Sequence, residues 1–484
     1  MIEISHVLAC TGALLVRPGA ASFGGAAINS KEISPGDLFF AVLGSRDGHE
    51  FVADAVCAGA TGIVVQQEVK DVPGHVAVIR VPDTLAALQE LGAAARGRSD
   101  ARVVAITGSA GKTTTKSMVA HLLDRHVNVL SSAKSFNNHL GVPLSLLRLE
   151  PEHTHAVAEV GTNHRGEIGA LAQLVKPDIS LVTNVGFAHV GNFESRAELA
   201  DEKTDLLRHV QRGGVWVLNG DDDLLNEAAS RQPRPEGVQV LRVGFGPTND
   251  VRAVDVRFSE AGSSGLIVVD GESVGFDLPM PGKHFVYAAL FASAVGLLCG
   301  VSLEAGVKSL AEFSTPQGRA SMERVSETLS VLDDSYNASP DATLAALDLL
   351  GDMSADTRIA VLGEMRELGS WSDELHQLVG RKAAGAATHL IVVGEEGKKL
   401  LEAAKAEGFL AGAMSMAESA RDAHLLTQDV VTQAAGRCVV LAKGARFMHM
   451  ERVPLGLAGR RVDCSLSLCT KYIHCQDCPE LEVE

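Results

Sequence analysis

Four apolar runs in the middle of the chain, "RVVAITG", "HAVAEVG", "ISLVTNVG" and "GGVWVLNGDDD", each end in small or polar residues, and helix-like stretches such as "SMVAHLLDRH" separate them. Continuous apolar strands alternating with helices predict a parallel sheet covered on both faces. Ligands collect at the carboxyl ends of the strands in such sheets. The pattern returns later in "LSVLDDSYNASPD", "RIAVLGEM", "HLIVVGEEG" and "RCVVLAKGAR", which predicts a second doubly wound α/β unit. Before residue 100 the runs are shorter, and Pro35-Gly36 and Asp47-Gly48 mark turns. The expected divisions are a small α/β domain over 1–99, a P-loop parallel-sheet domain over 100–315, a Rossmann-like domain over 316–462 and a cysteine-rich tail over 463–484. The longest uncharged run, from Phe285 to Leu303, approaches membrane-span length but is interrupted by Gly, Ser and Tyr, so it is expected to be a buried helix.

Length agrees with this division, since 484 residues exceed what one core organises. A net charge of -17 gives a nucleic-acid partner little electrostatic support, while leaving small anions available to local cations. The N-terminal "MIEISHVLACTGALLV" has no basic n-region or small-residue cleavage site, so a cytoplasmic protein without membrane insertion is expected, as a monomer. A dinucleotide site is unsupported, because "GFGPTN" lacks the third glycine of that fingerprint.

The chemistry begins at "TGSAGKTTTK", which follows an apolar run and precedes a helix. It is a shortened phosphate loop, with Ile106 where a full Walker motif has its first glycine. Backbone N–H groups of Gly108, Ser109, Ala110, Gly111, Lys112 and Thr113, with Thr114 following, would face a polyphosphate at the helix N-terminus. Lys112 would neutralise β/γ oxygens of ATP, and Thr113 would offer a hydroxyl to Mg²⁺.

Further motifs stand in one order: "FNNHLGVPLSLLRL", "EVGTNHRGEIGAL", "TNVGFAHVGNFES", "GRASMERV", "DDSYNASPDATLAAL", "VLGEMRELG" and "LAKGAR". With the phosphate loop, this set resembles the Mur ligase family over nearly the whole chain. The resemblance implies ligation in peptidoglycan precursor synthesis: ATP phosphorylates a peptide carboxylate, an amine attacks the acyl phosphate, and ADP and phosphate leave. "DDSYNASPD" and "VLGEMRELG" resemble the members that join D-alanyl-D-alanine to a UDP-N-acetylmuramoyl-tripeptide. By the same resemblance Glu159 and His189 hold Mg²⁺, and Lys203 is carbamylated to support a second ion. Lys112, His189 and Lys203 form the expected catalytic set. Arg319, Asp334 and Asn337, with His284, complete the nucleotide site from across a domain gap, so closure of the third domain becomes a requirement. Asn137 and Asn138, beside His139, line the UDP-sugar-peptide side, Ser30 belongs to the uridine end, and Lys443 and Arg446 lie near the incoming dipeptide.

Several positions depart from the family pattern. "NSK" (Asn29, Ser30, Lys31) stands where Asp-Ser-Arg is usual, and Ala445 replaces a serine. Phe285 and Ala288 replace two asparagines near the adenine, which should weaken reading of the base edge. Two other readings therefore stay open: a related ligase with a different carboxylate and amine, and a nucleotide-binding module without chemistry. The tail "CSLSLCTKYIHCQDCPELEVE" lies outside the family pattern. Its Cys464, Cys469, Cys475 and Cys478 have spacings that can wrap a tetrahedral Zn²⁺, with His474 as a spare ligand; reduced, unliganded thiols or a disordered tail are the alternatives.

Overall fold

The computed structural model describes residues 1–44, 46–133, 135–471 and 473–481. Three large sheets and a short antiparallel pair, Ile2–Glu3 with Ser22–Phe23, organise the described residues. The first has five strands, with Ala26–Ala27, Leu38–Phe40, Gly62–Val65 and Ala77–Arg80 in parallel and Leu14–Arg17 antiparallel at the edge. Its helix Thr84–Gly97 packs toward the next unit, where the Arg96 guanidinium donates to the carbonyls of Val175 and Lys176 at 2.9 Å each.

The second sheet has nine strands, and the apolar runs read from the sequence form its middle. Arg102–Thr107 lies between His155–Glu159 and Ile179–Val182, all parallel, with Glu159 level with Ile106 and Val182 level with Thr107. Register matters here, because it brings the carboxyl ends of three strands to one line. The strands are buried on both faces, which is why they read as unbroken apolar runs. An antiparallel pair, Gly262–Val269 and Glu272–Leu278, extends the far edge.

The long uncharged run forms a core helix, Lys283–Leu298, which a break at 299–302 separates from the next helix, Leu303–Leu310. It is apolar on all sides because it is surrounded: Leu122 of the phosphate-loop helix Lys112–Asp124 sits so close to Gly296 that a Cβ there would lie 2.9 Å from Leu122 Cδ2. Among the described residues no helix is long and apolar enough to cross a membrane.

The third sheet has six strands. Leu329–Asp333, Cys438–Lys443, Thr357–Gly363, His389–Val393 and Met414–Ala417 are parallel, and Ser321–Arg324 closes one edge antiparallel. Asp333 is level with Ala442, so Asp334 and Lys443 emerge side by side at the carboxyl edge that faces the second unit. Residues 311–320, which join the two units, contain no helix or strand.

Candidate functional site

Glycine at 108 and 111 is a geometric necessity. At Gly108, with φ +144°, a Cβ would lie 2.0 Å from Thr183 Oγ1, and Gly111 takes φ 78° as it caps the helix. The loop is fastened to the neighbouring strand end. Ala110 N–H donates to Asn184 Oδ1 at 2.9 Å, while Thr183 Oγ1 and Asn184 Nδ2 donate back to Ala110 O at 2.7 and 3.1 Å. A loop held this way meets a ligand without reorganising.

Lys112 folds over the loop and donates to Gly108 O at 2.7 Å and Ser109 O at 3.3 Å. Burial lowers its pKa, Glu159 opposes that, and Arg319 adds to it. Glu159 is 1% exposed and is held by three groups. Thr113 Oγ1 donates to its Oε2 at 3.1 Å, Asn137 Nδ2 donates to its Oε1 at 2.8 Å, and Lys116 Nζ stands 3.6 Å from Oε2.

The third unit completes the wall. Arg319 Nη2 donates to Thr113 Oγ1 at 3.3 Å, and its guanidinium lies 3.9 Å above the Tyr336 ring, with Arg446 at 5.3 Å from the same ring. Tyr336 O–H reaches back to Ser135 Oγ at 3.1 Å. Lys443 pairs with Asp334 and donates to Asn337 O at 3.0 Å, and Arg446 N–H donates to Asn337 Oδ1 at 3.1 Å. These groups surround a cavity of about 1180 Å³, large enough for a nucleotide and a second substrate.

Of the residues singled out from the sequence, Ser109 to Thr114, Asn137, Asn138, Glu159, His189, His284, Arg319, Asp334, Asn337 and Lys443 line this cavity. Gly108, Arg446 and Lys203 stand behind the lining and bond to groups of the site or its loop. Ser30, in the turn Ser30–Glu32 of the first unit, is not part of the lining.

Lys203 is 1% exposed on the helix Arg196–Arg208, and its Nζ donates to Gly108 O at 3.3 Å. Burial, with repulsion from Lys112, holds its pKa well below the ordinary lysine value. His189, at φ 65°, pairs through Nδ1 with Glu367 of the third unit. His189 and Lys203 therefore do not bond each other among the described residues; each faces a different partner.

His284 shows why Phe285 is tolerated. Burial pushes its imidazole pKa down to about 4, so it is neutral at pH 7, and its ring packs 4.2 Å from that of Phe285. Ala288 is buried at 2% exposure. Beside them Tyr287 O–H donates to Asp221 at 2.8 Å and Phe245 meets the Tyr287 ring edge-on at 4.9 Å. Phe285 and Ala288 are thus both packed into the core, and neither offers a polar group to the cavity.

Five residues that the sequence left without a role belong to the site: Lys116, Asn184, Tyr336, Asp341 and Glu367. Asp341 Oδ2 accepts Phe187 N–H at 2.6 Å and lines the cavity. All but Lys116 lie inside quoted motifs beyond the phosphate loop, which was the available signal; their partners on other units were not.

Three family models match the chain: Mur ligase middle domain over residues 106–296, Mur ligase glutamate ligase domain over 318–446, and Mur ligase catalytic domain over 23–129. The UDP-N-acetylmuramoyl-tripeptide--D-alanyl-D-alanine ligase of Bacillus subtilis is 33% identical over 438 residues, 89% of this chain and 92% of its own. The Escherichia coli enzyme of the same name is 34% identical, covering 88% of this chain and 91% of its own. Among solved structures, MurF from Acinetobacter baumannii superposes with a TM-score of 0.84 at 30% identity, covering 95% of this chain and 99% of that one. MurF ligase from Thermotoga maritima in complex with ADP gives 0.77 at 25% identity, covering 90% and 97%. With the three-unit architecture and the phosphate-loop geometry, these matches lead to one assignment: the chain belongs to the Mur ligase family.

Proposed function

We propose that this chain is an ATP-dependent, ADP-forming ligase that joins D-alanyl-D-alanine to UDP-N-acetylmuramoyl-tripeptide in peptidoglycan precursor synthesis. The observation that carries the reading is the meeting of Lys112, Thr113 and Glu159 with Arg319 across one cavity. A carboxylate oxygen of the tripeptide attacks the γ-phosphorus, the bond to the β-phosphate oxygen breaks, and ADP leaves. The dipeptide amine then attacks the acyl carbon, loses a proton, and expels phosphate.

Both steps gather negative charge, so cations must be in place before transfer. Lys112 and Arg319 offset charge on the phosphates. Asn137 and Asn138 face the muramoyl-peptide side, and Lys443 and Arg446 the dipeptide side. The first unit would hold the uridine end around Ser30, and the third unit the amine.

Thr113 and Glu159 present hard oxygen donors 3.1 Å apart at the phosphate loop, a donor set that fits Mg²⁺. The ion would supply charge neutralisation on the phosphates. A buried lysine with a depressed pKa is a competent nucleophile toward CO₂, which supports carbamylation of Lys203; with His189 it would serve a second ion. Both nucleotide substrates are cytoplasmic compounds, which supports that compartment.

Phe285 and Ala288 favour testing other substrates as well. The deciding experiment is ADP release against a panel of UDP-muramoyl-peptides and amines. Sustained release only with a tripeptide and D-alanyl-D-alanine together supports the proposal. Preference for another pair replaces it, and equal phosphate release from ATP alone reduces the protein to an ATPase.

A further inference from the structure

The tail does not form the four-sulfur zinc site expected from its spacings. Cys464, Cys469, Cys475 and Cys478 line one small pocket without a disulfide, but no three of their sulfurs come within 4.8 Å of one another. Among the described residues the one such group of possible ligands is His449, Glu451 and Cys475. Arg446 Nη1 stands 3.4 Å from Glu451 Oε1, and Arg452 Nε stands 3.4 Å from Cys475 Sγ, so two guanidinium groups already take up the charge that would hold a cation there. The expected spare ligand, His474, accepts Gln476 N–H at its Nδ1 as a cap and is not part of the pocket lining.

Residues 183–192 run from the strand Ile179–Val182 toward the helix Arg196–Arg208 and fasten the phosphate loop at their start, through Thr183 and Asn184 on Ala110. Further along, the third unit clasps them. Asp341, in the first turn of the helix Pro340–Asp352, lays its carboxylate on Gly186: a Cβ there would lie 2.1 Å from Oδ2, 2.3 Å from Cγ and 2.5 Å from Oδ1. The same Oδ2 accepts Phe187 N–H at 2.6 Å, while Val185 N–H goes to Asp222 Oδ2 of the central unit at 2.8 Å. Gly191 meets third-unit backbone as closely. Its N–H donates to Glu367 O at 2.9 Å, and a Cβ on it would lie 2.3 Å from Gly369 N. His189 stands between these two contacts, with its own side chain on Glu367.

Neither Gly186 nor Gly191 has a positive φ, so no backbone conformation demands glycine at either position. The three atoms nearest an added Cβ belong to the third unit in both cases. Glycine is therefore required by the docked third unit and not by the central unit's own fold. We propose that Gly186 and Gly191 are seats for the third unit, and that Asp341 is a positioning residue which, by docking on Gly186, aligns the segment that carries His189 and braces the phosphate loop. Closure of the third unit and alignment of the phosphate site are then one event. This inference rests on the ATP-using reading above and is indifferent to which carboxylate and amine are joined.

The test is a double-variant cycle on the full chain. Gly186→Ala and Asp341→Ala should each lower kcat for ADP release by about tenfold or more, as expected when reacting groups lose their alignment. The methyl of the first expels the carboxylate that the second removes, so the double variant should be no slower than Gly186→Ala alone. Asp341→Asn, which keeps an acceptor for Phe187 N–H, should recover most of the rate. Gly191→Ala meets backbone and should gain nothing from Asp341→Ala. Small-angle X-ray scattering with a non-hydrolysable ATP analogue reads closure without ligase chemistry: the parent should compact, and Gly191→Ala should bind the analogue yet stay extended. Single variants within about twofold of the parent, losses that multiply in the double variant, or full compaction of Gly191→Ala would each overturn the proposal. A parent that compacts but releases no ADP with the tripeptide and dipeptide would count against the substrate pair proposed above and in favour of the clasp.

Discussion

Arg319 Nη2 donates to Thr113 Oγ1 at 3.3 Å, joining residues 206 positions apart on two different sheets' units. Its guanidinium is also stacked on Tyr336, so the charge is held in place before any phosphate arrives. Arg319→Ala is expected to slow turnover by about 10³-fold or more, as when a charge-stabilising arginine is lost in phosphoryl transfer. Arg319→Lys should recover only part, because an ammonium cannot stack as a plane. Steady-state ADP release decides it; an alanine variant within tenfold of the parent removes Arg319 from the chemistry.

Among the described residues Lys112 bonds to two loop carbonyls and to no core group. Lys112→Ala should therefore cost about 10²–10³-fold in rate while the thermal midpoint stays close to that of the parent. Measuring both separates the explanations. A large fall in midpoint would make the lysine a structural brace.

For Lys203 the sign of the pH effect follows from its environment. Burial and Lys112 hold its pKa below the ordinary value, so the neutral, CO₂-reactive amine gains population as pH rises through that lowered pKa. Activity of enzyme stripped of CO₂ should be low, should return with bicarbonate, and should return faster at higher pH. Lys203→Ala should lose most activity and regain some with short carboxylates. Indifference to bicarbonate, together with an active alanine variant, would refute carbamylation.

His284 gives a stability prediction. Its folded pKa is about 4 against an ordinary value of 6.5. Above 6.5 both states are neutral and pH has no effect through this group. Below 6.5 the unfolded chain takes a proton that the folded chain refuses, so stability falls with pH until about 4, where the folded ring also protonates. Chemical denaturation of the parent and His284→Asn between pH 7 and pH 4.5 should show the parent losing its advantage as pH drops. Parallel curves would mean the ring is not held neutral.

The sheets were legible because a strand buried on both faces must be apolar throughout: "RVVAIT", "HAVAE" and "CVVLAK" declare themselves. The loop was legible because phosphate binding needs glycine, lysine and threonine within a few residues. Arg319 was readable equally as a solvated linker cation, and only its stacking on Tyr336 and bond to Thr113 separate the two. Glu367 and His449 were illegible for the same reason. Their partners, His189 and the tail cysteines, come from distant chain positions, and no local pattern encodes a meeting of that kind. Lys203 reads as a surface lysine on a charged helix; its burial is a property of the neighbouring sheet and loop.

The positive charges that line the cavity are divided between two bodies: Lys112 rides on the phosphate-loop helix, Arg319 and Lys443 on the third unit. The stretch joining those bodies, 311–320, has no regular structure to resist their separation. Any parting wide enough to let ADP out separates Lys112 from Arg319, the two cations that face the phosphates. Water entering through the open cleft then meets ATP beside an incomplete set of cations. Placing the two cations on separate bodies ties charge neutralisation at the phosphates to closure of the cleft.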